Sequence, residues 1–279
     1  MTKNQSHGAR LAVSTWSLHR NLGQPEFYGP EAGQHIPTAT HGRGKLALLD
    51  VPAQIAAFGI STLEICHFHL PSRDQSYLGE LRAALREANV ELFSLLIDAG
   101  DITHAGDAAR DQRWIGDWIA VAAALGAQRM RVIAGKATPS DATLAASCAA
   151  LRTLAQQAQA AGIRLMTENW FDLLAGPAEV SALLDQLAGH VGLCLDFGNW
   201  RGPTKYTALA AIAPHAESCH TKAHFSAAAV IDRADYERCL DLTRAAGFAG
   251  PYTLIYDGPD DDEWRGLAAE RAIVEQYLV

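Results

Sequence analysis

Six times along the chain, an Ala- and Leu-rich amphipathic run gives way to a short β-rich run, and each switch carries Gly or Asn. The switches are AAFGI at 56–60, EANVEL at 87–92, ALGAQ at 124–128, QAAGI at 159–163, LAGHV at 187–191 and AAGFAG at 245–250. The residue after the last helical turn often adopts a left-handed conformation, which Gly takes without strain and Asn with little. The pattern predicts strands over 10–16, 61–66, 90–97, 128–134, 163–168, 191–196, 216–221 and 251–256. Helices are predicted over 45–58, 75–88, 107–125, 140–161, 177–188, 204–213, 233–246 and 262–277. Strands alternating with helices mean a parallel sheet. Eight such units predict an α/β fold, a single-domain (β/α)8 barrel over residues 1–279. An open doubly wound sheet is the alternative, but no GxGxxG turn follows the first strand.

One connection breaks the rhythm. Residues 19–45, HRNLGQPEFYGPEAGQHIPTATHGRGK, separate the first strand from the first predicted helix. Loops of this length inside a compact domain are commonly functional, and this one leaves the strand end that forms the active-site face of a barrel. It reads as a lid or as an arm contacting a second copy in a homo-oligomer. The net charge of −8 leaves no basic excess for nucleic acid or an anionic membrane surface. Five scattered cysteines in apolar segments form no CxxC pair and read as reduced core residues of a cytoplasmic protein. The polar start MTKNQSHGAR has no secretion-signal pattern, and no apolar run reaches membrane-spanning length.

The segment LCLDFGNW at 193–200 drives an apolar strand directly into Asp196. A buried carboxylate is costly unless it is paired or binds a metal. In a barrel the strand C-termini converge on one mouth, where polar residues read as catalytic. The second strand ends with Glu64, His67 and His69, the third with Asp98 and Asp101, and the fifth with Glu168, Asn169 and Trp170. The sixth ends with Asp196 and Asn199, and the seventh with Glu217, His220, Lys222 and His224. Singly, Asp196 could cap a helix, Glu168 could sit in a surface pair and His220 in the core. Two carboxylates and an imidazole from three consecutive strand ends favour a divalent metal site, for Mn²⁺ first, with Mg²⁺, Co²⁺ or Zn²⁺ as alternatives. Trp16, Trp170, Phe171, Trp200 and Phe225 near the mouth suit stacking on a ligand ring, though core packing is their default.

LEICHFH, GAQRMRVIAG, TEN, LDFGN, HTK and GPYTLIYDG occur in this order over essentially the whole chain. In their order and spacing the chain resembles the xylose isomerase-like TIM-barrel superfamily of sugar isomerases and epimerases, which also holds inosose and 3-dehydroshikimate dehydratases and the endonuclease IV group. The resemblance implies Glu168, Asp196 and His220 as metal ligands and Lys222 as the lysine of an HxK pattern. Asn199 stands where relatives often carry a histidine. His67, His69, Asn169, Trp170, Asn199, His224 and Asp257 are expected to contact substrate, and Glu168 and Lys222 to take part in proton transfer.

The eighth strand departs from that pattern. The position at which relatives carry a ligating, proton-accepting glutamate holds Ile255, with Asp257 two residues beyond. Two-base epimerisation next to a carbonyl needs an acceptor on each face, whereas one-base isomerisation and elimination do not. The expected function is a divalent-metal-dependent isomerase or epimerase acting on a small sugar or polyol through a metal-stabilised enediolate. A lyase or dehydratase on a keto-sugar, and a non-catalytic sugar-binding relative, are the alternatives.

Overall fold

The computed structural model describes residues 8–25, 28–31 and 44–278. Among these, eight parallel strands close into a barrel: β1 (Arg10–Ser14), β2 (Thr62–Cys66), β3 (Glu91–Ile97), β4 (Arg129–Val132), β5 (Arg164–Glu168), β6 (Gly192–Asp196), β7 (Ala216–Lys222) and β10 (Pro251–Ile255). A small antiparallel hairpin, β8 (Phe225–Ala227) and β9 (Val230–Ile231), follows β7. The ring closes where β10 pairs with β1, Arg10 opposite Pro251 and Val13 opposite Leu254. Helices α1 (His19–Leu22), α2 (Val51–Ala57), α3 (Gln75–Glu87), α4 (Ala108–Leu125), α5 (Asp141–Ala160), α6 (Pro177–Leu187), α7 (Lys205–Ile212), α8 (Arg233–Ala245) and α9 (Glu263–Val274) fill the connections.

The helix stops work as their chemistry requires. Gly126 caps α4 at φ 78°, donating its N–H to the carbonyls of Ala122 and Ala123, and Asn89 ends the α3 connection at φ 55°. The main core lies between sheet and helices, where Val13, Leu63, Leu95, Leu165, Leu193 and Leu254 meet Ile55, Leu81, Trp118, Leu151, Leu183 and Leu240. Each such side chain contributes roughly 1.5–3 kcal/mol on burial. Inside the barrel, Phe93, Met166 and Cys194 pack as a separate plug. Below them Arg10 pairs with Glu91 at 2.7 Å, and Arg164 and Arg129 meet Glu217 at 2.5 and 3.4 Å. Glu217 therefore belongs to the far end of β7 and takes no part in the mouth.

Three local features differ from the expected pattern. The run predicted as a helix over 45–58 begins as a 3-10 turn, Leu48–Asp50, before α2. The β1 connection contains α1, and the hairpin β8–β9 was not foreseen. The proposed lid falls mainly on residues 26–27 and 32–43, outside the described residues. Its described neck is pinned, since Lys45 and Leu46 both donate backbone N–H to the Asn21 carbonyl. No helix among the described residues is long and apolar enough to cross a membrane.

Candidate active site

At the C-terminal ends of the strands lies a cavity of about 320 Å³. One wall is polar: Asp98, Arg131, Glu168, Asp196, Asn199, His220 and Lys222. The rest of the lining is largely apolar, with Trp16, Tyr28, Cys66, Phe68, Leu96 and Ile255. Alternation along β-strands places Glu168, Asp196 and His220 inside the ring, each at or near the end of its strand.

The polar wall is built by side chains that hold one another. The Asn199 amide donates to Glu168 Oε1 at 2.7 Å. Asp196 Oδ1 accepts the backbone N–H groups of Gly198 and Asn199 at 2.6 and 2.7 Å. Asn169 accepts from the Asp196 N–H at 2.7 Å and donates to the Asp196 carbonyl at 3.1 Å, so the end of β6 is clamped to the end of β5. Glu64 meets His220 Nε2 at 2.8 Å, which leaves the opposite ring nitrogen facing the carboxylates. That nitrogen, Nδ1, lies 3.4 Å from Glu168 Oε2 and 3.9 Å from Asp196 Oδ2. Arg131, buried on β4, lies 2.6 Å from Asp98 Oδ1 and 3.0 Å from Glu168 Oε2.

The charges follow from this packing. Burial alone would raise the Glu168 carboxyl, but Arg131, His220 and Asn199 together hold it down at about 2. Burial and the neighbouring Glu168 charge push Asp196 up to about 6. Burial disfavours the His220 imidazolium, yet Cys194, Glu168 and Glu64 raise its pKa well above the ordinary histidine value. Burial likewise disfavours the Lys222 ammonium, and Asp196 and Asp257 more than compensate, raising its pKa. On the apolar wall, burial pushes the Tyr28 hydroxyl and the Cys66 thiol up, so both keep their protons.

Donors about 2.0–2.2 Å from one ion stand roughly 3–4 Å apart, and the His220 Nδ1 separations from Glu168 and Asp196 fall in that range. Glu168 Oε2 is buried without an aligned hydrogen-bond donor, despite the nearby Arg131 Nε. The Glu64–His220 contact is of the kind by which an outer carboxylate orients a histidine at a metal. Among the described residues, the group whose ligand atoms all lie within 4.8 Å of one another is Glu168, Cys194 and His220, and Asp196 joins it through its 3.9 Å approach to His220 Nδ1. The residues present fit a divalent cation.

The sequence profile of the family described as xylose isomerase-like TIM barrel matches residues 52–274. The chain belongs to that family. Among solved structures, a D-allulose 3-epimerase from Methylomonas sp. superposes at TM-score 0.69 with 17% identity, covering 98% of this chain and 99% of that one. A xylose isomerase-like TIM-barrel protein from Mycobacterium smegmatis, in complex with magnesium, gives 0.68 at 18% identity, covering 98% and 97%. A probable 3-DHS dehydratase from Bacillus anthracis gives 0.68 at 14% identity, covering 95% and 98%. Identities this low carry the fold alone. No curated protein matches the sequence significantly.

Within this family fold, several residues expected at the site lie elsewhere. His67 and His69 stand in a 3-10 turn beyond β2 and are directed away from the cavity. His67 packs edge-on against Trp114 and Trp118, with Nε2 2.6 Å from the Tyr28 carbonyl, while His69 Nδ1 meets Thr15 Oγ1 at 2.9 Å. His224 is exposed at the start of the hairpin and outside the cavity lining. Asn169 is fully buried and supports Asp196, without lining the cavity. Asp257 binds Lys222 Nζ at 2.7 Å, and Asp101 caps its own loop by accepting from Thr103 and Lys136. Trp170, Asn199, Lys222 and Ile255 do line the cavity. Arg131 and Tyr28 were missed. The signal for Arg131 was present in RMRV, where two arginines alternate along a short strand otherwise fit for burial.

Proposed function

We propose that this chain is a divalent-metal-dependent sugar isomerase that works from one face of a small sugar or polyol. The observation that carries the reading is the convergence of Glu168, Asp196 and His220 on one wall of a sugar-sized cavity whose remaining lining is largely apolar. When bound by these three residues, a divalent ion, Mn²⁺ by the mixed nitrogen and oxygen donor set, would polarise a substrate carbonyl as a Lewis acid. The family and its epimerase neighbours support the same reading.

The chain's own groups divide the remaining work. Glu64, Asn169 and Asn199 fix the orientation of His220, Asp196 and Glu168. Lys222, kept cationic and steadied by Asp257, presents an ammonium to negative charge developing on a substrate oxygen. Trp16, Phe68 and Trp170 offer faces to the apolar side of a sugar ring. The carboxylates Glu168 and Asp196 can accept a proton from one side only. Beside Lys222 on the neighbouring strand Ile255 offers no acceptor, Asp98 is engaged by Arg131, and Tyr28 and Cys66 remain protonated.

The test is incubation of the Mn²⁺-loaded protein with ketoses and aldoses in D₂O, read by NMR. Deuterium on a single face, with isomer formed, is the expected result, and Glu168→Gln should abolish it. An unsaturated product would assign the chain to elimination chemistry. Exchange on both faces with free two-way epimer formation would refute the one-face reading. Retention of sugar binding without any exchange would make this a binding protein.

A further inference from the structure

Beside the cavity lies a second depression of about 570 Å³, and Trp170, Phe171, Asn199 and Lys222 belong to the walls of both. The boundary is a stacked aromatic pair, the Trp170 and Phe171 rings 4.3 Å apart at 28°. Phe171 stands at φ 58°, ψ 177°, a conformation that glycine alone adopts freely. Such outliers persist only where the surrounding structure enforces them, and they gather at ligand clamps and active sites. Here the enforced backbone sets the Phe171 ring on the ridge between two cavities, with Lys136 Nζ 4.9 Å from the ring centre.

The charges of the depression are nearly all answered within the chain. Asp235 binds Lys205 at 2.7 Å and Asp257 binds Lys222 at 2.7 Å. What remains on the lining is Arg201 and Asp172, both exposed and opposite in sign. With Lys205 and Lys222 neutralised by carboxylates just off the wall, the polar and aromatic surface suits a neutral polyhydroxy ligand.

We propose that this depression is a second sugar subsite, and that the substrate class is a neutral disaccharide-sized glycoside. The reacting ring occupies the inner cavity and the attached ring lies beyond the Trp170–Phe171 ridge. The proposal rests on the sugar reading above, so binding and chemistry are measured separately. Binding of D-fructose and of maltulose, a glucosyl-fructose, to the Mn²⁺-loaded protein is followed by tryptophan fluorescence and saturation-transfer NMR. Deuterium uptake by the same two sugars is followed in parallel.

The wild-type protein should bind maltulose about tenfold more tightly than fructose, and Phe171→Ala should reduce that preference to about twofold. If Phe171→Ala does not fold, Phe171→Gly, which suits the observed backbone angles, replaces it. Equal binding of the two sugars by the wild-type protein would overturn the subsite, as would a preference unchanged in the variant. Deuterium uptake from fructose without a maltulose preference refutes the subsite and leaves the isomerase reading standing. A maltulose preference that depends on Phe171, without deuterium uptake from either sugar, supports the subsite and refutes the isomerase reading.

Discussion

Replacing Arg131 with Met removes the guanidinium that two buried carboxylates share. Arg131 lies 2.6 Å from Asp98 and 3.0 Å from Glu168, and the three side chains are 4%, 9% and 5% exposed. Methionine fills much of the same apolar volume, so the loss is chiefly electrostatic. Removing one partner of a buried pair costs roughly 3–5 kcal/mol because the remaining charge is left uncompensated. With two carboxylates abandoned, the upper figure is expected for metal-free protein at pH 7.5. For a urea slope near 3 kcal/mol per M, the midpoint should fall by about 1.7 M. The pH dependence should also change sign. In the native chain Glu168 is held at about 2, below its ordinary 4.5, so its contribution is complete above about pH 4.5 and is lost as pH falls toward 2. In the variant the strongest opposing charge is gone and only His220 and Asn199 still counter burial, so the Glu168 carboxyl pKa rises and stability should rise as pH falls from 7.5 to 5. Mn²⁺ should restore part of the loss by returning a cation to Glu168. A midpoint shift under about 0.3 M, or a variant less stable at pH 5 than at 7.5, would refute the reasoning.

Glu64→Gln removes the charge that orients His220 from behind, and Mn²⁺ affinity measured by calorimetry should weaken about 10–100-fold; unchanged affinity would mean that His220 is held by other contacts. Ile255→Glu places a third carboxylate on the cavity wall and should tighten Mn²⁺ binding by about tenfold or more, with no gain showing that residue 255 lies out of reach of the ion. Asp196 is raised from 3.8 to about 6, so the folded state binds more protons than the unfolded one across that window. Its contribution to the stability of the metal-free protein should therefore decline as pH rises from about 4 to 6, and saturating Mn²⁺ should flatten that decline in thermal melts.

The barrel was legible because each helix has to end and each strand has to be covered. The Gly and Asn stops mark these events locally, and every predicted strand matches an observed one to within two residues at each end. Glu168, Asp196, His220, Lys222 and Asn199 were legible for a related reason: they sit at or just beyond strand ends, and topology converts that position into convergence. His67 and His69 show where the rule stops. Beyond Cys66 the chain turns into a 3-10 helix, the two-residue alternation lapses, and the imidazoles point back among Trp114, Trp118 and Thr15. Arg131 was only half legible: the alternation in RMRV signals one shared face, but a charge within a strand reads as exposed until its partners on neighbouring strands, Asp98 and Glu168, are known. Tyr28 lies in a loop without periodicity, and only the tertiary fold brings its hydroxyl to the Asp98 carbonyl.

The plug of Phe93, Met166 and Cys194, with the ring of arginine and glutamate side chains beneath it, makes the site a vessel with a stopped base. Among the described residues the base is closed, so traffic passes through the mouth at the strand C-termini. Under the proposed function a sugar settles only as water leaves past it, and a product clears the mouth before its successor arrives. Queueing of this kind would make turnover sensitive to whatever crowds the rim, Tyr28 on the cavity wall included. It also leaves the opposite end of the barrel free to accumulate substitutions that alter stability without altering what the doorway admits.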